Sequence, residues 1–272
     1  CGARRPARKP QQRAGRSNTV GWEEDTSALS AELLPDQAFF DDLMRTMVQR
    51  EAMTLAALDD RPPPLLISVW TGTDRAAHMF WRLTDPAAPR YEAELAGLLG
   101  DAIDRTYAQM DRTVGKVRAL LPPEALLLVL SDHGFHSFSR GFHVNRWLVD
   151  KGYLTLKPGG RSLADADWSK TRAYALGTGQ IYLNLQGREG QGTVGFGAER
   201  DGLLSALRSD LLALRDGVRQ PLSAVQPGAV LYSGPAAGSA PDLVLSFAPG
   251  YQASWASRLG GVPATLFEDN QR

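Results

Sequence analysis

A single cysteine in 272 residues, at position 1, excludes an intrachain disulfide and any cluster of thiolate ligands. A metal bound here would have to use carboxylate and imidazole. No apolar run approaches the eighteen or more residues that a membrane-spanning helix needs. Net charge is missing as well. Thirty basic and thirty acidic residues cancel, so nothing in the total asks for nucleic acid or an anionic membrane as the main partner. Internal repeats are absent, and the only biased tract lies at the start.

That tract, "CGARRPARKPQQRAGRS", has six basic and no acidic side chains, which leaves the rest of the chain acidic by six charges. It reads as a disordered basic arm over residues 1–19, followed by one α/β domain over 20–272. Hydrophobic residues make up 43% of the chain, enough for one large core. Cys1 allows lipid anchoring of the kind found in mature bacterial lipoproteins. A boundary left by cloning or by a gene model is the blander expectation, with the chain in the cytoplasm.

Apolar residues recur at helical spacing through 35–60, where Phe39, Leu43, Met47, Met53, Leu55 and Leu58 predict a helix that stops before "RPPP". "LLISVW" at 65–70 and "LLLVL" at 126–130 predict buried strands. Between them, 91–121 predicts one long amphipathic helix bearing Leu95, Leu98, Leu99, Ile103, Tyr107, Met110, Val114 and Val117. A strand, helix, strand crossover of this kind builds parallel sheets. Further on come a short helix at "RWLVDKG" with Asn145 able to cap it, a strand at "YLTLK", and a hairpin around Gly177 and Gly179. A helix over 199–217 and strands at "AVLYSG" and "DLVLSF" complete a smaller, strand-rich C-terminal part.

Chemistry is expected where the two buried strands end, because ligands of open α/β sheets sit outside the carboxyl ends of parallel strands. If a helix starts at Asp74, then Asp74 and His78 share one face and could share a cation, or they merely line a solvated surface. Asp132 and His133 leave their strand toward opposite sides, and Gly134 at positive φ would let the chain fold back beneath them. They could equally be a loop cap and a packed histidine. Thr71 and Thr73 are expected to cap the helix at 74, and His136 to be a loop or packing residue. Arg140 and Arg75 have the fork that pairs with phosphate oxygens, though arginines near loops are usually surface charges.

"TGTDRAAHMFWRLTDP" and "VLSDHGFHSFSRGFHVNRWLVDKGYLTLK" resemble the type I phosphodiesterase/nucleotide pyrophosphatase branch of the alkaline phosphatase superfamily, in its phosphohydrolase or phosphomutase group. "ALGTGQIYLNLQGRE" and "PDLVLSFAPGYQASW" extend the resemblance over roughly 20–270. It implies an alkaline phosphatase-like fold, a mostly parallel central sheet flanked by helices, and hydrolysis of phosphate monoesters or diesters at two divalent metal ions. By that analogy Asp74 and His78 hold one metal, and Asp132 and His133 the other. Zn²⁺ suits the ligand types best, with Mn²⁺ or Fe²⁺ possible. His143, Arg140 and Asn145 are the candidates for contact with a small phosphorylated substrate.

The family pattern also has an upstream Ser or Thr nucleophile with a further Asp ligand, and a late histidine ligand. Nothing here matches them, since Ser17 and Thr19 sit in the basic arm and the chain stops at Arg272. The expectation is therefore the central and C-terminal portion of a longer enzyme, catalytically incomplete by itself. Competing readings are a non-catalytic relative that binds phosphorylated ligands, a lipid-anchored binding protein, and a phosphomutase with similar ligands.

Overall fold

The computed structural model describes residues 24–58, 63–88 and 90–270, and the chain divides into two compact units, Cys1–His136 and Ser137–Arg272. The expected arm, with Cys1, Ser17 and Thr19, lies outside the described residues.

In the first unit a short helix α1 (Thr26–Ser30), whose first turn is capped by the Asp25 carboxylate, leads into the long helix α2 (Asp36–Leu58). The spacing of Phe39, Phe40, Leu43 and Met47 puts all four on its buried face. Helix α3 (Gly72–Phe80) lies against them, with the Phe80 ring edge-on to Phe40 at 5.6 Å. The approach is close at Gly72, where a Cβ would come within 2.7 Å of the Met47 sulfur. A single turn at Trp81–Leu83 follows, and then α4 (Ala93–Leu99) and α5 (Ala102–Leu120).

The continuous helix expected over 91–121 is thus two helices, broken at 100–101. Leu95, Leu99, Ile103 and Met110 reach the core as expected, but Leu98 and Tyr107 face solvent. A polar contact decides the facing. Glu51 of α2 is buried, and it accepts hydrogen bonds from Thr113 Oγ1 at 2.6 Å and Gln109 Nε2 at 3.2 Å while pairing with Lys116 Nζ at 2.6 Å. A buried carboxylate without such partners would cost far more than one misplaced leucine.

The predicted strands at 65–70 and 126–130 do not form ladders among the described residues. Their aliphatic side chains are exposed, with Ile67 at 77% and Leu130 at 85%. Apolar β-branched sequence makes a strand only where a neighbour takes up its N–H and C=O groups, and the described residues give neither run such a neighbour. The 65–70 run is tied instead to α2, by Arg50 Nη1 donating to the Val69 carbonyl at 2.5 Å and by the Thr54 and Ser68 hydroxyls 3.1 Å apart.

The described strands all belong to the second unit. Strand β1 (Phe138–Phe142) pairs parallel with β6 (Gly250–Ala253) and antiparallel with β7 (Phe267–Asp269). A second sheet has the order β2-β3-β5-β4, from β2 (Ala173–Leu176), β3 (Gln180–Leu183), β4 (Leu222–Pro227) and β5 (Leu243–Phe247), and all its pairs are antiparallel. The α/β class is therefore observed, and the described residues form two small, largely antiparallel sheets, with a parallel pair only between β1 and β6. The hairpin expected around Gly177 and Gly179 joins β2 to β3, and both glycines take positive φ. Helices α6 (Val144–Asp150) and α7 (Ala198–Leu212) also form. "YLTLK" contributes only an isolated bridge at Leu156. "AVLYSG" begins instead in a helical turn, α8 (Gly228–Leu231), closed by the Tyr232 N–H donating to the Gly228 carbonyl at 2.8 Å. One last turn, α9 (Trp255–Arg258), follows β6. Leu203, Leu207 and Leu211 of α7 join Ile181, Leu183, Leu243 and Leu245 in the core of this unit.

Candidate functional site

Helix α3 begins two residues before Asp74, so Asp74 occupies its first turn and His78 follows one turn later on the same side. Thr71 stands at the N-cap but makes no side-chain capping bond, contrary to the role expected of it. His78 Nε2 lies 3.4 Å from Asp74 Oδ1, and His133 Nε2 approaches the same oxygen at 3.9 Å. His133 Nε2 is also 3.6 Å from Asp132 Oδ2. The two pairs that the sequence places 50-odd residues apart thus converge on one carboxylate.

Local bonds fix the His133 ring. Its Nδ1 is 3.2 Å from the Gly134 carbonyl, which orients the ring so that Nε2 faces the Asp74 and Asp132 carboxylates. Ser131 Oγ donates to the His133 carbonyl at 2.6 Å and tightens the turn. Gly134 is not at positive φ, and a Cβ there would meet nothing, so the positive-φ turn expected of it is not observed.

Sequence reasoning missed the aromatic support. Phe135 lies edge-on to the His78 ring at 4.9 Å and to the His133 ring at 5.5 Å, and it stacks on Trp81 at 6.0 Å. Trp81 follows His78 by three residues, one helical turn, and that spacing was the available signal. The cluster is open to solvent: His78, Asp74 and His133 are each one-third to one-half exposed, and Asp132 is 89% exposed. Its carboxylate and imidazole donors are right in kind for Zn²⁺, Mn²⁺ or Fe²⁺. In number they fall short, because among the described residues no three of His, Cys, Asp or Glu are placed to hold one ion.

Arg140, His143 and Asn145 belong to the second unit and are engaged there. Arg140 grips Asp216 with Nε and Nη2 at 2.8 and 2.9 Å and reaches Asp269 with Nη1 at 2.7 Å. Those carboxylates raise its pKa further, and the fork expected to meet a phosphate is already filled. Asn145 sits inside α6 rather than capping it, and its amide bonds both the N–H and the C=O of Ala175, at 2.8 and 2.9 Å, as a ladder neighbour would. His143 is buried at the start of α6, with Nδ1 2.6 Å from Ser254 Oγ and Nε2 3.5 Å from Glu268 Oε2. Burial pushes its pKa down, partly offset by Glu268. All three stabilise the fold of their unit.

The chain belongs to the type I phosphodiesterase/nucleotide pyrophosphatase family, whose model matches residues 8–260. No curated protein and no solved structure gives a significant match. Among the described residues no helix is long and apolar enough to cross a membrane.

Proposed function

We propose that the protein is a metal-dependent phosphohydrolase acting on phosphate monoesters or diesters of small, nucleotide-type molecules. The family supports phosphoryl-ester hydrolysis. Support for metal dependence comes from the convergence of His78 and His133 on Asp74, with Asp132 beside them. In this reading Asp74 with His78, and Asp132 with His133, each supply two donors to a divalent cation, with Zn²⁺ the best match to carboxylate and imidazole ligands. Two cations so held would supply charge stabilisation to the attacking and leaving oxygens of a displacement at phosphorus. The chain's own residues do the positioning. The Gly134 carbonyl orients the His133 ring through Nδ1, and Phe135, braced by Trp81, holds both rings edge-on.

Zn²⁺ titration of the full chain with Asp132→Ala and His133→Ala tests this. Each substitution is expected to weaken binding at least about a hundredfold and to abolish turnover of bis-p-nitrophenyl phosphate wherever the parent shows it. Parental metal affinity in both variants would remove the two-metal reading. With only two protein donors per ion, the 272-residue chain is itself expected to turn over slowly.

A further inference from the structure

The second unit contains a cavity of about 680 Å³, in the size range of small-molecule pockets, that shares no residue with the Asp74 cluster. Two of its walls are aromatic. The Trp168 and Tyr174 rings stand at 88° with centroids 5.2 Å apart, and Leu163, Leu176 and Leu259 add apolar surface.

Its polar groups are unevenly supplied. No Lys, Arg or His lines the cavity, and Glu189 brings the one formal charge. Glu189 Oε1 accepts from Tyr174 Oη at 3.1 Å and Arg188 Nε at 3.0 Å, while Oε2 has no hydrogen-bond partner among the described residues. Arg188 is not itself a lining residue, and its Nη2 is committed to Asp242 at 2.7 Å and the Leu183 carbonyl at 2.6 Å. Asn184 is 1% exposed. Its Nδ2 donates to the carbonyls of Trp168, Thr171 and Gln191 at 2.8–2.9 Å, yet its buried Oδ1 receives no donor. The Ser162 hydroxyl, a possible donor, is spent on Asp165 at 3.0 Å.

The charge of the cavity is one-sided: Glu189 brings a half-free carboxylate, no cationic side chain lines the walls, and the side-chain donors beside it, the Trp168 indole N–H and the Gln191 amide, are neutral. A phosphate or carboxylate would face the like charge of Glu189 with no cation in the lining to offset it, and a hydrocarbon would leave Glu189 Oε2 unsatisfied. We propose that this cavity binds a small organic cation, a primary ammonium carried on an apolar or aromatic body. The body lies against Trp168 and Tyr174, and the ammonium donates to Glu189 Oε2, with aromatic faces adding cation–π attraction. Tyr174 suits this role because burial and the neighbouring Glu189 hold its phenol protonated, so that it remains a neutral wall.

The test is calorimetric titration of the full chain, without added metal, with 2-phenylethylammonium, and with 3-phenylpropionate and 2-phenylethanol as anionic and neutral analogues. The ammonium is expected to bind saturably and at least about tenfold more tightly than either analogue. Glu189→Gln should weaken it by about tenfold. Because Glu189 also holds Tyr174 and Arg188, a second variant is needed that spares those bonds. Gln191→Lys serves, since this exposed residue contributes only its backbone carbonyl to Asn184. It should abolish ammonium binding, favour the carboxylate, and leave the thermal midpoint unchanged. No saturable binding by the parent, equal affinity for the carboxylate, or an unaltered affinity in folded Gln191→Lys would each overturn the proposal. None of these outcomes depends on the phosphohydrolase reading, because no metal or phosphate ester is present.

Discussion

The motif residues that fall in the first unit stand in the open, whereas those that fall in the second are held by partners. Asp74 lies 3.4 Å from His78 and 3.9 Å from His133, His133 lies 3.6 Å from Asp132, and all four are partly or largely exposed. Arg140, His143 and Asn145 hold partners at 2.6–2.9 Å. Yet Asp132 and Asn145 lie only thirteen residues apart in one unbroken motif. The contrast teaches that membership of a motif does not assign a job. Loosely spaced, exposed donors remain available to a ligand, while donors satisfied inside a fold act as scaffold.

The strongest way to break that comparison is to remove one buried and one open carboxylate. Asp242 accepts from Arg188, Arg200 and the Leu183 N–H with its side chain 2% exposed. Asp242→Ala should cost about 3–5 kcal/mol in urea denaturation, because two guanidinium groups lose their shared partner. Asp132→Ala should change stability by less than about 0.5 kcal/mol. Similar losses for the two would erase the distinction.

A smaller effect separates the units by pH. His143 has a folded pKa below its ordinary 6.5, chiefly through burial. As pH falls below that value the unfolded chain takes the proton first, so stability present above it is lost down to the folded pKa. In the first unit, burial raises the Glu51 pKa, but hydrogen bonds and charge from Lys116 and Thr113 outweigh it and hold the carboxyl below its ordinary 4.5. Its stabilisation is present above 4.5 and is lost as pH falls through the lowered folded value. Thermal midpoints of the parent, His143→Gln and Glu51→Gln from pH 8 to pH 3 should show the His143-linked loss first and the Glu51-linked loss only under more acid conditions. Removal of either group should flatten its own step. A single coincident step surviving in both variants would contradict this assignment.

The smallest expected effect is at Leu128, an exposed member of the 126–130 run. Leu128→Ser should leave stability within about 0.5 kcal/mol of the parent, and a loss comparable to a core truncation would mean that the run is covered in solution.

Much of this was legible in the chain. Helix α2 could be read from the spacing of Phe39, Leu43 and Met47, and the β2–β3 hairpin from Gly177 and Gly179, because periodicity and positive φ are local properties. The pairing of Asp74 with His78 followed from one helical turn. The rest needed partners distant in sequence. Whether 65–70 is a strand depends on what lies beside it, and the facing of α5 turned on a carboxylate more than fifty residues away. Arg140 could be seen as a strong anion-binding fork, but only the arrival of Asp216 and Asp269 filled it. The sequence by itself determined which groups could bind a cation or a phosphate, because side-chain chemistry is intrinsic. Tertiary structure decided which of them stay open, because satisfaction of a donor or acceptor depends on partners that folding brings from elsewhere in the chain.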